Sequence, residues 1–263
     1  MKKIIIISIT SDIGVSLSNF FLKKKYYLFG SYRNKKLLSN IKKNKRLTHF
    51  KLDLIKNKSI EKFCAEIKKK FNDWDYIIFC NGDLNPIGKF KDINYENWEK
   101  SLNINYLSSL KILNYLLKKN TKNKNRGVLF FAGGGTNNAT SYYSAYTLSK
   151  IFLIKFVELL DYEENKISTC ILGPGWINTK IHNSTLKSKI KNFKNKKIAE
   201  KVVKRNDDHK LLKLNNCVNW ILKNIKKLSG RNISLDYDNW GSKALLEKLK
   251  KNKNLYKLRR FGN

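Results

Sequence analysis

Apolar residues come in short bursts along this chain, and the bursts alternate between two rhythms. Ile4–Ile9 is a β-branched run, as expected for a strand buried on both faces. Leu17–Lys24 then carries helical spacing. Tyr26–Tyr32 predicts a second strand, Lys35–Lys43 a polar helix and Thr48–Leu54 a third strand. Ser59–Phe71 spaces Ile60, Phe63, Ile67 and Phe71 on one helical face, and Tyr76–Cys80 is a fourth strand. Trp98–Lys119 reads as helix with a break near Asn105, Val128–Phe131 as strand, Ser144–Tyr162 as a long helix and Ser168–Leu172 as strand. Residues 180–215 are Lys-rich and weakly periodic, and they predict a mobile basic lid inserted at the surface. Cys217–Lys226 is a further helix, Asn232–Leu235 a last strand, and the tail is basic. Repeated strand-helix units imply right-handed crossovers and a mainly parallel, seven-stranded sheet covered on both faces. Without a Pro- or Gly-rich linker or an internal repeat, residues 1–263 form one doubly wound α/β domain. Ligands of such sheets bind at the carboxyl ends of the strands.

Composition changes this picture little. Hydrophobic residues make up 41%, enough for a sizeable core despite a formal net charge of +35. The excess is mostly Lys, spread along the chain beside many Asn and Ile, which share A/T-rich codons. Arg is scarce, so specific nucleic-acid binding is not expected. The charge favours anionic ligands instead. No apolar stretch approaches the roughly 18 residues of a membrane span. The opening Met1-Lys2-Lys3 mimics a signal peptide, but its apolar run stops within a few residues. Cys64, Cys80, Cys170 and Cys217 are widely spaced, which fits a reducing cytoplasm, and no His or Cys spacing suggests a metal site.

The strongest chemical signal is Tyr146-Thr147-Leu148-Ser149-Lys150. Positions i and i+4 share a helix face, and an ammonium beside a phenol lowers its pKa toward working pH. Tyr146 is then a usable general acid/base. The order of other loops around this pair resembles the short-chain dehydrogenase/reductase family over nearly the whole chain. Ser8-Ile9-Thr10-Ser11-Asp12-Ile13-Gly14 looks like that family's TGxxxGIG turn, and Asn81-Gly82 like its NAG element. Asp53-Leu54 resembles the element that meets adenine, and Asn105 sits where the family keeps a catalytic Asn. Gly173-Pro174-Gly175-Trp176-Ile177-Asn178-Thr179 resembles the segment that holds the nicotinamide end.

The resemblance implies a Rossmann-type fold and hydride transfer between a nicotinamide and a carbonyl or secondary alcohol. It implies that Tyr146 exchanges the substrate proton, Lys150 tunes Tyr146 and binds ribose, and Asn105 anchors a water relay. Ser8, Thr10, Ser11, Asp12, Ile13, Gly14, Asp53, Leu54, Asn81, Gly82, Pro174, Gly175, Ile177 and Thr179 would line the cofactor. It also implies a homodimer or homotetramer. Two departures stand out. Ser8 and Asp12 replace two of the three glycines, and Asp12 is expected to cap the following helix. The family's catalytic Ser, twelve to fourteen residues before the Tyr, is missing from Phe131-Ala132-Gly133-Gly134-Gly135-Thr136. Thr136, with the backbone of the glycine run, is the nearest replacement. The second strand ends in Ser31-Tyr32-Arg33-Asn34, with no carboxylate for ribose hydroxyls. Arg33 suits a 2′-phosphate, which favours NADP(H) over NAD(H). The expected substrate is small and anionic, a sugar or nucleotide-sugar. The alternatives are a 3-oxoacyl thioester on a carrier protein, or no turnover at all in a dinucleotide sensor.

Overall fold

A computed structural model describes residues 1–118, 125–191 and 193–260. Seven strands form one sheet in the order β3-β2-β1-β4-β5-β6-β7, every pair parallel. They are β1 (Lys3–Ile7), β2 (Tyr27–Tyr32), β3 (Leu47–Lys51), β4 (Tyr76–Phe79), β5 (Arg126–Phe131), β6 (Ile167–Gly173) and β7 (Arg231–Ser234). The chain runs outward from β1 to β3, then crosses back to place β4 beside β1. That reversal opens a crevice above the carboxyl ends of β1 and β4.

The isoleucine run explains why the sheet is covered twice. Successive side chains of a strand point to opposite faces. Ile4 and Ile6 enter one core, with Leu17 and Phe21 of α1 (Asp12–Lys23) and Leu214, Val218 and Ile221 of α8 (Asp208–Lys223). Ile5 and Ile7 enter the other, with Phe63 and Ile67 of α2 (Asn57–Phe71), Ile112 of α4 (Ser108–Leu117) and Leu153 and Val157 of α5 (Ser144–Glu163).

The expected break near Asn105 is a π-helical turn, Asn103–Leu107, between α3 (Tyr95–Leu102) and α4. The Ser108 N–H there reaches back five residues to the Asn103 carbonyl.

The sheet, expected to be mainly parallel, is parallel throughout. One expectation needs correction. The polar helix expected over 35–43 is a 3-10 turn, Lys35–Asn40, with no buried residue to anchor a longer helix. The 180–215 segment, expected to be a basic lid, contains helical elements. It holds α6 (His182–Leu186), α7 (Lys194–Val202) and the first half of α8, whose Leu214 is fully buried. Ahead of the basic tail lies a helix the sequence reading did not place, α9 (Lys243–Lys251), which buries Leu245 and Leu249 behind a Lys-rich outer face. Beyond it the chain returns along the sheet edge, and the Asn232 N–H donates to the Tyr256 carbonyl at 2.9 Å.

Candidate active site

A cavity of about 1280 Å³ runs along the carboxyl ends of the strands. Ser8, Thr10, Ser11, Asp12, Ile13, Arg33, Asp53, Leu54, Asn81 and Gly82 line it, as do Thr136, Tyr146, Lys150, Pro174, Gly175, Ile177 and Thr179. The fold thus gathers residues spread over most of the chain onto one wall. Gly14 and Asn105 support it from behind.

The turn after β1 is built by hydrogen bonds. Ser8 has a left-handed backbone, φ 60°, which costs a non-glycine residue about 1 kcal/mol. Its N–H donates to Ser31 Oγ at 2.8 Å, and its carbonyl accepts from the Ser11 N–H and hydroxyl at 3.0 and 2.9 Å. Ser11 Oγ in turn accepts the Gly14 N–H at 3.1 Å. Ser11 is therefore the helix cap, not Asp12, which occupies the first helical position. A Cβ on Gly14 would run into the Ser8 carbonyl oxygen, which explains the glycine retained there.

The loop after β4 is pinned to the π-turn. Asn81 Nδ2 donates to the Ile104 carbonyl at 2.6 Å and to Ser109 Oγ at 3.0 Å. The Asn105 amide clamps residue 83, accepting its N–H at 2.9 Å and donating to its carbonyl at 2.9 Å. Asn105 Nδ2 also donates to the Ser101 carbonyl at 3.0 Å. Asn105 is buried, and its side chain is committed to holding this loop.

Tyr146 and Lys150 share a face of α5, but their electrostatics differ from the sequence expectation. The Lys150 ammonium sits over the Tyr146 ring, 5.4 Å from its centroid. Burial pushes the Tyr146 phenol up to about 12 and pulls the Lys150 ammonium down to about 8. Desolvation, not mutual attraction, sets both.

Against the phenol lies Gly133, thirteen residues upstream. A Cβ there would sit 2.6 Å from the Tyr146 hydroxyl. Gly135, at φ 84°, packs against two hydroxyls that sequence reasoning passed over. A Cβ on it would lie 2.6 Å from Thr140 Oγ1 and 3.1 Å from Thr147 Oγ1. Thr140 lines the cavity.

The turn after β6 also gained unexpected supports. The His182 ring stacks on Trp176, with centroids 5.1 Å apart. Its Nε2 lies 2.9 Å from the Ile177 carbonyl, so that nitrogen carries the proton. Asn178 donates its N–H to Asp207 Oδ2 at 2.6 Å. Beside Tyr146, Leu84, Tyr143 and Ile181 form an apolar wall, and the Tyr143 hydroxyl pairs with Thr185 Oγ1 at 2.8 Å. Isolated residues such as His182 gave no spacing signal, because their partners come from other loops.

The short chain dehydrogenase family model matches residues 2–190. This chain belongs to the short-chain dehydrogenase family. An uncharacterized oxidoreductase of Saccharomyces cerevisiae (YIR035C) is 24% identical over 182 residues, covering 68% of this chain and 71% of the relative. The crystal structure of that yeast protein superposes with a TM-score of 0.78 at 19% identity, over 94% of this chain and 99% of its own. An actinorhodin polyketide ketoreductase solved with NADPH gives a TM-score of 0.75 at 15% identity, over 89% and 95%. Among the described residues no helix is long and apolar enough to cross a membrane.

The family implies a nicotinamide dinucleotide, and the short-chain dehydrogenase cleft here suits one. Asp12 and Ile13 at the start of α1 line the cavity, where a helix N-terminus favours an anion, and Gly14 keeps that start close against the Ser8 carbonyl.

Two outcomes follow for the tyrosine end. Between about pH 8 and the ordinary Lys value of 10.5, the unfolded chain holds a proton on Lys150 that the folded chain has released. That residue's burial cost is therefore full below about pH 8 and falls as pH rises. Lys150→Met should unfold at higher urea than wild type near pH 7, with the gap closing toward pH 10. Gly133→Ser should lower kcat, by up to about 10²-fold, because its Cβ displaces the Tyr146 hydroxyl. Steady-state turnover of the two proteins checks this.

Proposed function

We propose that this short-chain dehydrogenase is an NADP(H)-dependent carbonyl reductase with Tyr146 as the acid. One observation carries the reading: the Tyr146–Lys150 face and the Arg33 end open into the same cavity. The bound dinucleotide supplies the hydride, and the protein supplies placement and a proton. Tyr146 holds that proton at its phenol oxygen and gives it to the substrate oxygen. Lys150, easily deprotonated where it is buried, passes a replacement proton and binds ribose. Thr136, Thr140 and the backbone N–H groups of the glycine run orient the carbonyl in place of the missing Ser. The Asn105 side chain positions the loop after β4, beside the adenosine half. Arg33, exposed just beyond the end of β2, receives a 2′-phosphate.

The substrate wall beside Tyr146 bears on the choice between a sugar and an acyl thioester. Leu84, Tyr143 and Ile181 offer apolar surface, and the Tyr143 hydroxyl is already paired. Lys180 lies on the cavity wall, and Lys187 lines an adjoining hollow with Asn85 and Ser184. An apolar keto group with an anionic extension, as in a 3-oxoacyl thioester, uses both features. A sugar or nucleotide-sugar uses mainly the basic one. The cysteines are free thiols among the described residues, which suits a cytoplasmic setting. Leu148, Phe152 and Leu159 expose one apolar face of α5, with Leu107 also exposed in the π-turn. That surface supports a homodimer or homotetramer, and Phe152→Glu should lower the mass seen in sedimentation.

Fluorescence titration with NADPH and NADH, followed by acetoacetyl thioesters and keto-sugars, tests the activity. NADPH is expected to bind more tightly, and Arg33→Ala should remove that preference. Tyr146→Phe should cut turnover by about 10²–10⁴-fold. Cofactor binding with no turnover of either substrate class would favour a sensor. Binding of neither dinucleotide would overturn the proposal.

A further inference from the structure

The phosphate-binding turn of a dinucleotide site is a poor place for a carboxylate, yet Asp12 stands there. It occupies the first position of α1, where the positive end of the helix dipole would meet a ligand's anion. The structure shows where its charge goes. Asp12 Oδ2 accepts the Lys180 backbone N–H at 2.6 Å, and Oδ1 lies 3.5 Å from Lys180 Nζ. The two residues are 168 positions apart, and both line the main cavity. The same loop is held from its other side. Besides the bond to Asp207, Asn178 Nδ2 donates to the Val203 and Arg205 carbonyls at 3.1 and 2.8 Å. Residues 178–180 therefore bridge the start of α1 and the chain entering α8.

We propose that Asp12 and Lys180 form a clasp across the dinucleotide cleft, in which Lys180 supplies the charge that lets a carboxylate stand in the phosphate cradle. The clasp rests on the dinucleotide reading above. An exposed ammonium-carboxylate pair contributes little by itself, and Lys180 is 62% exposed. The main-chain hydrogen bond fixes the geometry, so the effects fall on cofactor affinity and release more than on folding. Without Lys180, an uncompensated Asp12 faces the diphosphate. Without Asp12, the loop loses its tie to α1 and the need for compensation disappears.

Five proteins test this: wild type, Asp12→Gly, Lys180→Ala, Lys180→Arg and the Asp12→Gly/Lys180→Ala double variant. NADPH affinity and dissociation rate are measured by fluorescence, and hydrogen exchange over residues 177–181 is followed without cofactor. Lys180→Ala is expected to weaken NADPH binding about tenfold in wild type and less than about twofold in the Asp12→Gly background. Lys180→Arg should recover most of the loss. Asp12→Gly is expected to release NADPH several-fold faster and to raise exchange at the Lys180 amide. An equal cost of Lys180→Ala in both backgrounds would overturn the charge compensation. Unchanged exchange in Asp12→Gly would overturn the clasp. Failure of wild type to bind either dinucleotide would sink the functional reading, and the exchange data would still decide whether the strap exists.

Discussion

Burial of β1 on both faces is the constraint from which the rest of this structure follows. Four consecutive isoleucines are each fully buried, alternating between the two cores. A strand so apolar needs helices on both sides, and helical crossovers on both sides require parallel neighbours. Parallel strands bring all their carboxyl ends to one edge. The polar residues that end each strand then converge without being near in sequence. Ser8, Arg33, Asp53, Asn81, Thr136 and Thr179 share a cavity wall for this reason.

Electrostatics in the site are governed by desolvation. Tyr146 and Lys150 are neighbours, but the ammonium lies over the ring, and burial moves the two groups in opposite directions. Each is driven toward its neutral form, a resting state in which the phenol keeps its proton and the amine holds its own loosely. Asp12 meets the same problem differently. It keeps a partner, Lys180, drawn from a loop on the far side of the cleft.

The glycine-rich stretch after β5 is also a packing solution. Gly133 leaves room for the Tyr146 phenol, and Gly135 for the hydroxyls of Thr140 and Thr147. A search for a replacement hydroxyl by sequence distance alone arrives at Thr136. The folded loop adds Thr140, because the chain doubles back between residues 135 and 140 and brings that side chain against Gly135.

The succession of strands and helices, the doubly wound class and the Tyr146–Lys150 pair were legible in the sequence, because each depends on local periodicity: two residues per strand repeat, and four residues between helix neighbours. The π-turn was legible as an interruption at Asn105. What the sequence left open depended on partners distant along the chain. Ser11 took the cap that Asp12 was expected to fill, because a carboxylate beside Lys180 has a better partner there. Helices α7 and α9 carry dense lysine on their outer faces, and each turns a few apolar residues inward, Ala199 and Val202 in one and Leu245 and Leu249 in the other, a helical rhythm that the lysines masked in the sequence. The opposed titration shifts of Tyr146 and Lys150 required burial, a property of the packed cleft and not of any single residue. Local pattern determined which elements exist; the convergence of loops decided which charges are paired, which are desolvated and which face the cavity.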